Sequence, residues 1–370
     1  MLTRTQLVTL LRSLEGKRVL TVYLDGTAAD PAAQRSWRVQ LEHSLDDLRS
    51  WLADAPRDER AAFDRCVELL GGQLAGFEAN VGSPGWAAFI TAAGVYDAHA
   101  LPVPTPTFAV WSTGPSLAPY VRALKENRPV VVAVVDARQA ELYRYMLGTP
   151  DRVETIRAHH VVQETAHMGT AARQGFHVGT RGSTGRDAAQ RSLLAGRTRM
   201  LEQASARMLE LAGSDGWIVL GGISRVAASL ARVLESKASG RVLTLSGLDI
   251  HSSVADVAEA ARSGASTLRD AYDAGRVAEI ASEANANGLG VTGAVEAKWA
   301  LEQNSVRELF LTQHFRENHA TESEDAIRAA LEQDASVEEV SGKAASDLDA
   351  AGGIAVGLRF RPAPPAMFAG

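Results

Sequence analysis

The chain has 370 residues, 46% of them hydrophobic and 22% charged, with a formal net charge of −6 and a pI near 5.9. That length exceeds one ordinary core and implies two or three domains, and the composition excludes disordered and fibrous classes. An acidic total excludes a nucleic-acid footprint spread over the whole surface, so any RNA contact has to come from a local basic patch.

In chain order, the pattern predicts a helix over 2–14 and a buried strand over 19–24, bounded by Gly16 and Asp25-Gly26. Trp37, Leu41, Leu45, Leu48 and Leu52 recur at helical spacing, and Phe63, Val67 and Leu70 continue the theme after Pro56. Cys66 is the only cysteine; it excludes a disulfide framework and a Cys-based zinc site, and in a helical pattern it reads as buried packing. Strands follow over 86–91, 95–101 and, after Pro102, Pro104 and Pro106, 108–111, with a linker near Lys125 to Arg128. No stretch of about eighteen uncharged apolar residues occurs and the start lacks a leader pattern, so a cytoplasmic protein without a membrane span is expected.

The second segment opens on the nearly continuous apolar run 130–135, a central-strand signature, with a hairpin partner over 140–147 and a third strand near 152–158. A polar, glycine-rich stretch over 161–185 is long for a structureless loop, and such loops are functional or disordered. A helix over 186–211, a strand over 217–220, a helix over 224–236 and a strand over 241–245 imply a parallel or mixed sheet with helical crossovers. A long helix over 254–284 leads to a third alternating segment: helix 294–303, strand 306–312, helix 324–332, strand 337–341, a short helix and strand 354–359. The expected fold class is α/β in three parts. These are a mixed α/β N-terminal domain (1–127), a middle α/β domain (128–252) with an extended Gly/Arg loop at 161–186, and a C-terminal α-β-α domain with its connecting helix (253–370).

The most informative stretch is 165–201. It holds Arg173, Arg181, Arg186, Arg191, Arg197 and Arg199 against one acid, Asp187. Arginine suits phosphate because it presents a rigid, permanently charged fork of donors. Gly175, Gly179, Gly182 and Gly185 allow close backbone approach to a partner. In the helix that follows, Leu193, Met200, Ala204, Met208 and Leu211 form one apolar face with Arg197 near its middle. Either Arg197 is buried against a carboxylate, or the first turns project beyond the sheet; the second is favoured. A solvated loop without a partner is the bland alternative.

Taken together, the strand runs 19–25, 130–136 with Ala140-Glu-Leu-Tyr-Arg144, Trp217-Ile-Val-Leu-Gly-Gly222 and Val291-Thr-Gly-Ala-Val-Glu296 with 353–360 resemble the bacterial archaeo-eukaryotic release factor families. These are relatives of class-1 release factors, of Pelota and of hibernation factors such as Balon. The resemblance implies a middle-domain loop entering the peptidyl-transferase centre and a ribosomal-protein-like last domain. It also implies ribosomal RNA as partner, and a translational GTPase or other protein at the C-terminal domain. By this resemblance Arg173, His177, Gly179, Arg181, Gly182, Gly185, Arg186, Arg191, Arg197 and Arg199 are the candidate RNA-binding residues. Hydrolytic members carry Gly-Gly-Gln at the loop tip, whereas this loop reads Gly175-Phe-His-Val-Gly-Thr-Arg-Gly-Ser-Thr-Gly-Arg186. Gly71-Gly72-Gln73 is a decoy, read as a C-cap after the helix ending at Leu70.

Other candidates carry less. His159, His160, His167 and His177 lack metal-ligand spacing, and RNA bases or solvent suit them better. Gly221-Gly222 before Ser224 matches no nucleotide fingerprint, and Ser224 reads as an N-cap. Asp25, Asp30 and Asp136 are not spaced for paired acid–base work. Ten carboxylates between Glu317 and Asp349, with Arg328 and Lys343 the only cations among them, read mostly as solvated surface that favours a basic protein over RNA. The leading expectation is a ribosome-binding, non-hydrolytic factor of hibernation, rescue or stress, with no cofactor, no membrane and no DNA. A peptidyl-tRNA hydrolase using Gln174 or His177, and a protein-binding scaffold, remain as alternatives.

Overall fold

The computed structural model describes residues 1–27, 36–79, 84–146, 150–158 and 185–362, with the side chains of 76–79 and 185–190 outside the description. The N-terminal part comprises α1 (Arg4–Ser13), β1 (Arg18–Asp25), α2 (Ser36–Trp51), α3 (Arg57–Ala79), β2 (Gly85–Thr91), β3 (Gly94–Leu101), β4 (Phe108–Thr113) and α4 (Ala118–Glu126). Then come β5 (Val130–Val135), β6 (Gln139–Tyr145), β7 (Asp151–Arg157), α5 (Gly185–Ala212), β8 (Trp217–Gly222), α6 (Ser224–Glu235), β9 (Val242–Thr244) and the 32-residue α7 (Val254–Asn285). The chain closes with β10 (Gly290–Thr292), α8 (Ala294–Glu302), β11 (Val306–Thr312), α9 (Gln313–Asn318), α10 (Ala320–Glu332), β12 (Ser336–Val340), α11 (Gly342–Asp349) and β13 (Ile354–Leu358). The fold is α/β with three sheets, ordered β3-β2-β1-β4, β7-β6-β5-β8-β9 and β10-β13-β11-β12.

Two units form. One joins residues 1–127 to 273–370, and the other is 128–272. In the first, strand alternation sorts β1 between two cores. Leu20, Val22 and Leu24 meet α2 and α3, whereas Val19 and Tyr23 face a core shared with the C-terminal part through α1, α4, α8 and α10. The C-terminal sheet likewise sends Leu309 and Leu311 into that shared core, and Phe310 toward the end of α7 and α11. This is an α-β-α sandwich.

Helix α4 is fixed at both ends by that C-terminal part, because its N-cap, Leu117, supplies no side-chain bond. Glu324 of α10 does so from a distance, accepting from Ser116 Oγ at 2.7 Å and from the N–H groups of Leu117 and Ala118 at 2.8 and 3.2 Å. At the other end Lys125 Nζ donates to both Asp273 oxygens at 2.9 and 2.7 Å and to the Glu339 carbonyl at 2.8 Å, with Glu338 at 3.5 Å. The ammonium group thus meets acceptors on several sides in a site where Lys125, Asp273 and Glu338 are all buried.

Several expectations are corrected here. Lys125 belongs to a helix and a buried ion cluster, not to a linker, since α4 has a core to cover. Most of the ten acids between Glu317 and Asp349 are exposed, as expected, but three turn inward: Glu324 and Glu338 as above, and Glu339, which pairs with Arg316 at 2.9 Å. A fourth, Asp349, is exposed but accepts from Thr312 Oγ1. Gly71 and Gly72 cap nothing, because α3 continues to Ala79. Phe63, Cys66, Leu70 and Leu74 keep the apolar stripe running past them, which offsets the roughly 0.5–1 kcal/mol that each helical glycine costs. Cys66 is buried and free of any disulfide, and desolvation pushes its thiol up to about 11.

Removing the cation of the buried cluster takes away the ammonium group shared by the buried carboxylates Asp273 and Glu338. Lys125→Ala is expected to lower unfolding stability by about 3–5 kcal/mol, measured as a drop in the urea midpoint followed by tryptophan fluorescence.

Candidate nucleic-acid interface

The second unit is a mixed sheet between helices. Within it β5, β8 and β9 run parallel, while β6 and β7 are antiparallel. Val131, Ala133 and Val135 face α5 and α6, and Val130, Val132 and Val134 face the first part of α7. Gly264 brings α7 against β8: a Cβ there would lie 2.6 Å from Val219. Gly222 ends β8 at φ 105°, and a Cβ would stand 2.0 Å from the Val135 carbonyl. A Cβ on Gly221 would lie 2.6 Å from Leu248, so close approach explains both glycines. Ile223, not Ser224, is the N-cap of α6, without a side-chain bond, and its N–H donates to the Val135 carbonyl at 2.9 Å. The Ile223 carbonyl accepts from the Val226 N–H at 2.8 Å, so a donor of the first turn is met without the hydroxyl.

Helix α5 has 28 residues, about 42 Å at 1.5 Å per residue. It buries Met200, Leu201, Ala204, Met208 and Ala212 at helical spacing on the sheet. Upstream, between Arg191 and Arg199, only Gly196 is buried. Leu193 and Leu194 are 44% and 46% exposed. At about 100° per residue, Leu193 and Arg197 continue the stripe that starts at Met200, so the sheet-facing stripe extends past the residues that cover it. Leu193 is therefore not in the buried face as the spacing suggested, and the buried residues include Leu201 and Ala212, which that face omitted. Leu211 is partly buried at its edge.

Arg197 is half-buried and Arg199 exposed, and among the described residues neither forms an ion pair with a carboxylate. Arg207, on the packed half, contrasts with them: it pairs with Glu154 at 3.2 Å and Glu210 at 2.6 Å. Arg191 is exposed, and Gly185 and Arg186 form the first turn of α5. The side chain of Arg186 lies outside the described residues, as do Arg173, His177, Gly179, Arg181 and Gly182 entirely, and with them His159, His160 and His167. The N-terminal end of a helix already carries about half a positive charge, so a cation in the first turns costs roughly 0.3–1 kcal/mol. Arg191, Arg197 and Arg199 add positive charge along the helix beyond the first turn, a polarity that an anion relieves.

The other acids singled out by sequence hold turns. Asp136 Oδ1 accepts from the N–H groups of Arg138 and Gln139 at 2.6 and 2.7 Å, and Asp25 Oδ1 from Thr27 N and Oγ1 at 2.9 and 2.6 Å. Asp30 lies outside the described residues. Among the described residues no three His, Cys, Asp or Glu side chains are grouped to hold a metal, and no helix is long and apolar enough to cross a membrane. The exposure of Leu194 went unseen in the sequence; its signal is the position one step off the face of Leu193.

Residues 115–265 match the model of bacterial archaeo-eukaryotic release factor family 10. The middle of this chain is thus similar to a release-factor-like family. The matched residues run from before α4 into α7 and include the whole arginine-bearing half of α5. That similarity supports a translation-related role as the coarse function. No curated protein matches the chain in sequence. Among solved structures, an archaeal Pelota from a ribosome-bound model with ABCE1 is similar at 16% identity, over 73% of each chain, with a TM-score of 0.43. S. cerevisiae Dom34, a translation termination-like factor, is similar at 13% identity over 70% of this chain and 72% of its own, with a TM-score of 0.46. An archaeal termination factor, aRF1, aligns over 97% and 99% at 14% identity, with a TM-score of 0.26. These superpositions are loose.

If the sheet holds only the second half of α5, Leu193→Ser with Leu194→Ser shifts unfolding stability by no more than about 0.5 kcal/mol, as at ordinary surface positions. Met208→Ala lowers it by about 2–5 kcal/mol. Urea titrations of the three proteins side by side provide the check.

Proposed function

We propose that the protein is a ribosome-associated factor that docks in or near the tRNA site through the arginine-bearing half of α5 and the glycine-rich stretch 161–186 before it. It does so without hydrolysing peptidyl-tRNA, in a hibernation, rescue or stress role. The observation that carries this reading is the α5 half that the sheet leaves uncovered, rich in guanidinium and lying inside the release-factor-like residues 115–265. On a chain of net charge −6 such a local excess of arginine has phosphate as its natural counterpart. The lack of hydrolysis is supported by sequence. The stretch 161–186 has no Gly-Gly-Gln, and the chain's Gly71-Gly72-Gln73 lies within α3, a helix of the other unit. Ribosomal RNA is the partner, and the C-terminal part is the place where a translational GTPase or another protein would join.

Binding to phosphates releases counterions, so co-sedimentation with ribosomes is expected to fall steeply as salt rises. Arg191→Ala, Arg197→Ala and Arg199→Ala together weaken it, and the slope of log K against log salt becomes shallower by about 0.9 for every phosphate no longer neutralised. An unchanged slope in the triple variant counts against this interface. Peptide release from loaded ribosomes stays at background; release above it points to the hydrolase.

A further inference from the structure

Between α8 and α10, in the unit that does not contain α5, lies an open cleft of about 290 Å³. Its floor is apolar: Leu301, Phe315 and Ile354 are buried beneath it, and the small side chains of Ala294 and Ala329 leave the opening. Its rim is acidic. Glu302 stands on α8, and Glu322 and Asp325, 65% and 64% exposed at their side chains, stand on α10; Lys298 is the single cation of the lining. Asp325 is partly satisfied by Arg328 at 3.1 Å, whereas the neighbour of Glu322 is His319, charged only when protonated.

We propose that this cleft is a docking site for a protein segment that inserts one bulky apolar side chain, leucine or phenylalanine, flanked by lysine or arginine. The volume is at the lower end of what small-ligand pockets offer, about 300–1,000 Å³, which suits a single anchoring side chain rather than a cofactor. The charge at the rim selects the partner. A phosphate backbone meets three carboxylates there and is repelled, while a basic segment gains close charge pairs at the edge of a dry floor, the arrangement typical of interface anchors. The site is independent of the RNA interface proposed for α5, and each can fail without the other.

The test uses the full-length, isotope-labelled protein and two capped peptides, Lys-Lys-Leu-Phe-Lys and Glu-Glu-Leu-Phe-Glu, followed by amide shifts in NMR titrations. The basic peptide is expected to shift the amides of Leu301, Ala326 and Ala329, and the acidic one to leave them in place. Glu302→Lys with Glu322→Lys, both exposed positions, is expected to weaken the basic peptide by about tenfold or more. Ala329→Trp, which fills the opening, abolishes its binding; Ala329→Leu serves if the larger side chain disturbs folding. Equal effects of both peptides, no shift at millimolar peptide, shifts confined to another surface, or the same amides moved by a uridine oligonucleotide would each overturn the proposal.

Discussion

One helix, α5, is packed on its sheet over only part of its length. The sheet β7-β6-β5-β8-β9 grips α5 from Met200 to Ala212, where five side chains at helical spacing fill the groove over Val131, Ala133 and Val135. Before Met200 the cover thins: Gly196 is still buried and Arg197 half-buried, whereas Leu193 and Leu194 are exposed. A helix is cooperative, so an anchored second half carries the first into solvent as ordered structure. In the proposed docking, that segment would present Arg191, Arg197 and Arg199 to an anion while the chain as a whole stays acidic.

The other unit solves a different problem, which is how to attach a nine-residue helix with no capping side chain of its own. Glu324 reaches from α10 to the first N–H groups of α4, and Lys125 at the far end is enclosed by Asp273, Glu338 and the Glu339 carbonyl. These groups are separated by 148 to 214 positions in the chain, so the N-terminal and C-terminal parts are closed on each other by charge-assisted bonds as well as by the shared core. A buried charge cluster adds little net stability over an apolar one, but breaking it leaves buried carboxylates without their cation. Its contribution here is to specify which ends meet.

What the sequence revealed and what it hid have physical reasons. The apolar run 130–135 was readable because a strand buried on both faces leaves no polar alternation to misjudge. The strand 354–359 and the helix 254–284 came within a residue of Ile354–Leu358 and Val254–Asn285. Helix α4 was missed because Pro119 and Lys125 suggest a boundary, and only partners more than a hundred residues away make its lysine internal. For the same reason acids on α10 and β12 looked like surface: their counterparts, Ser116, Lys125 and Arg316, are invisible to local pattern. Of the candidate interface, the arginine excess was plain in composition. Where the helix leaves its sheet was not, since Leu193 has the same spacing as the buried Met200 and only the extent of the sheet separates them.

Cys66, buried and the only cysteine, leaves the protein open to selective labelling at one introduced thiol. The most direct measurement places an iron chelate on α5 through Leu194→Cys and generates hydroxyl radicals on the protein bound to ribosomes. The proposed docking predicts cleavage of ribosomal RNA close to the tRNA site from this position. Bound protein that leaves the RNA intact from position 194, while a chelate at Val295→Cys cuts it, would contradict docking through α5.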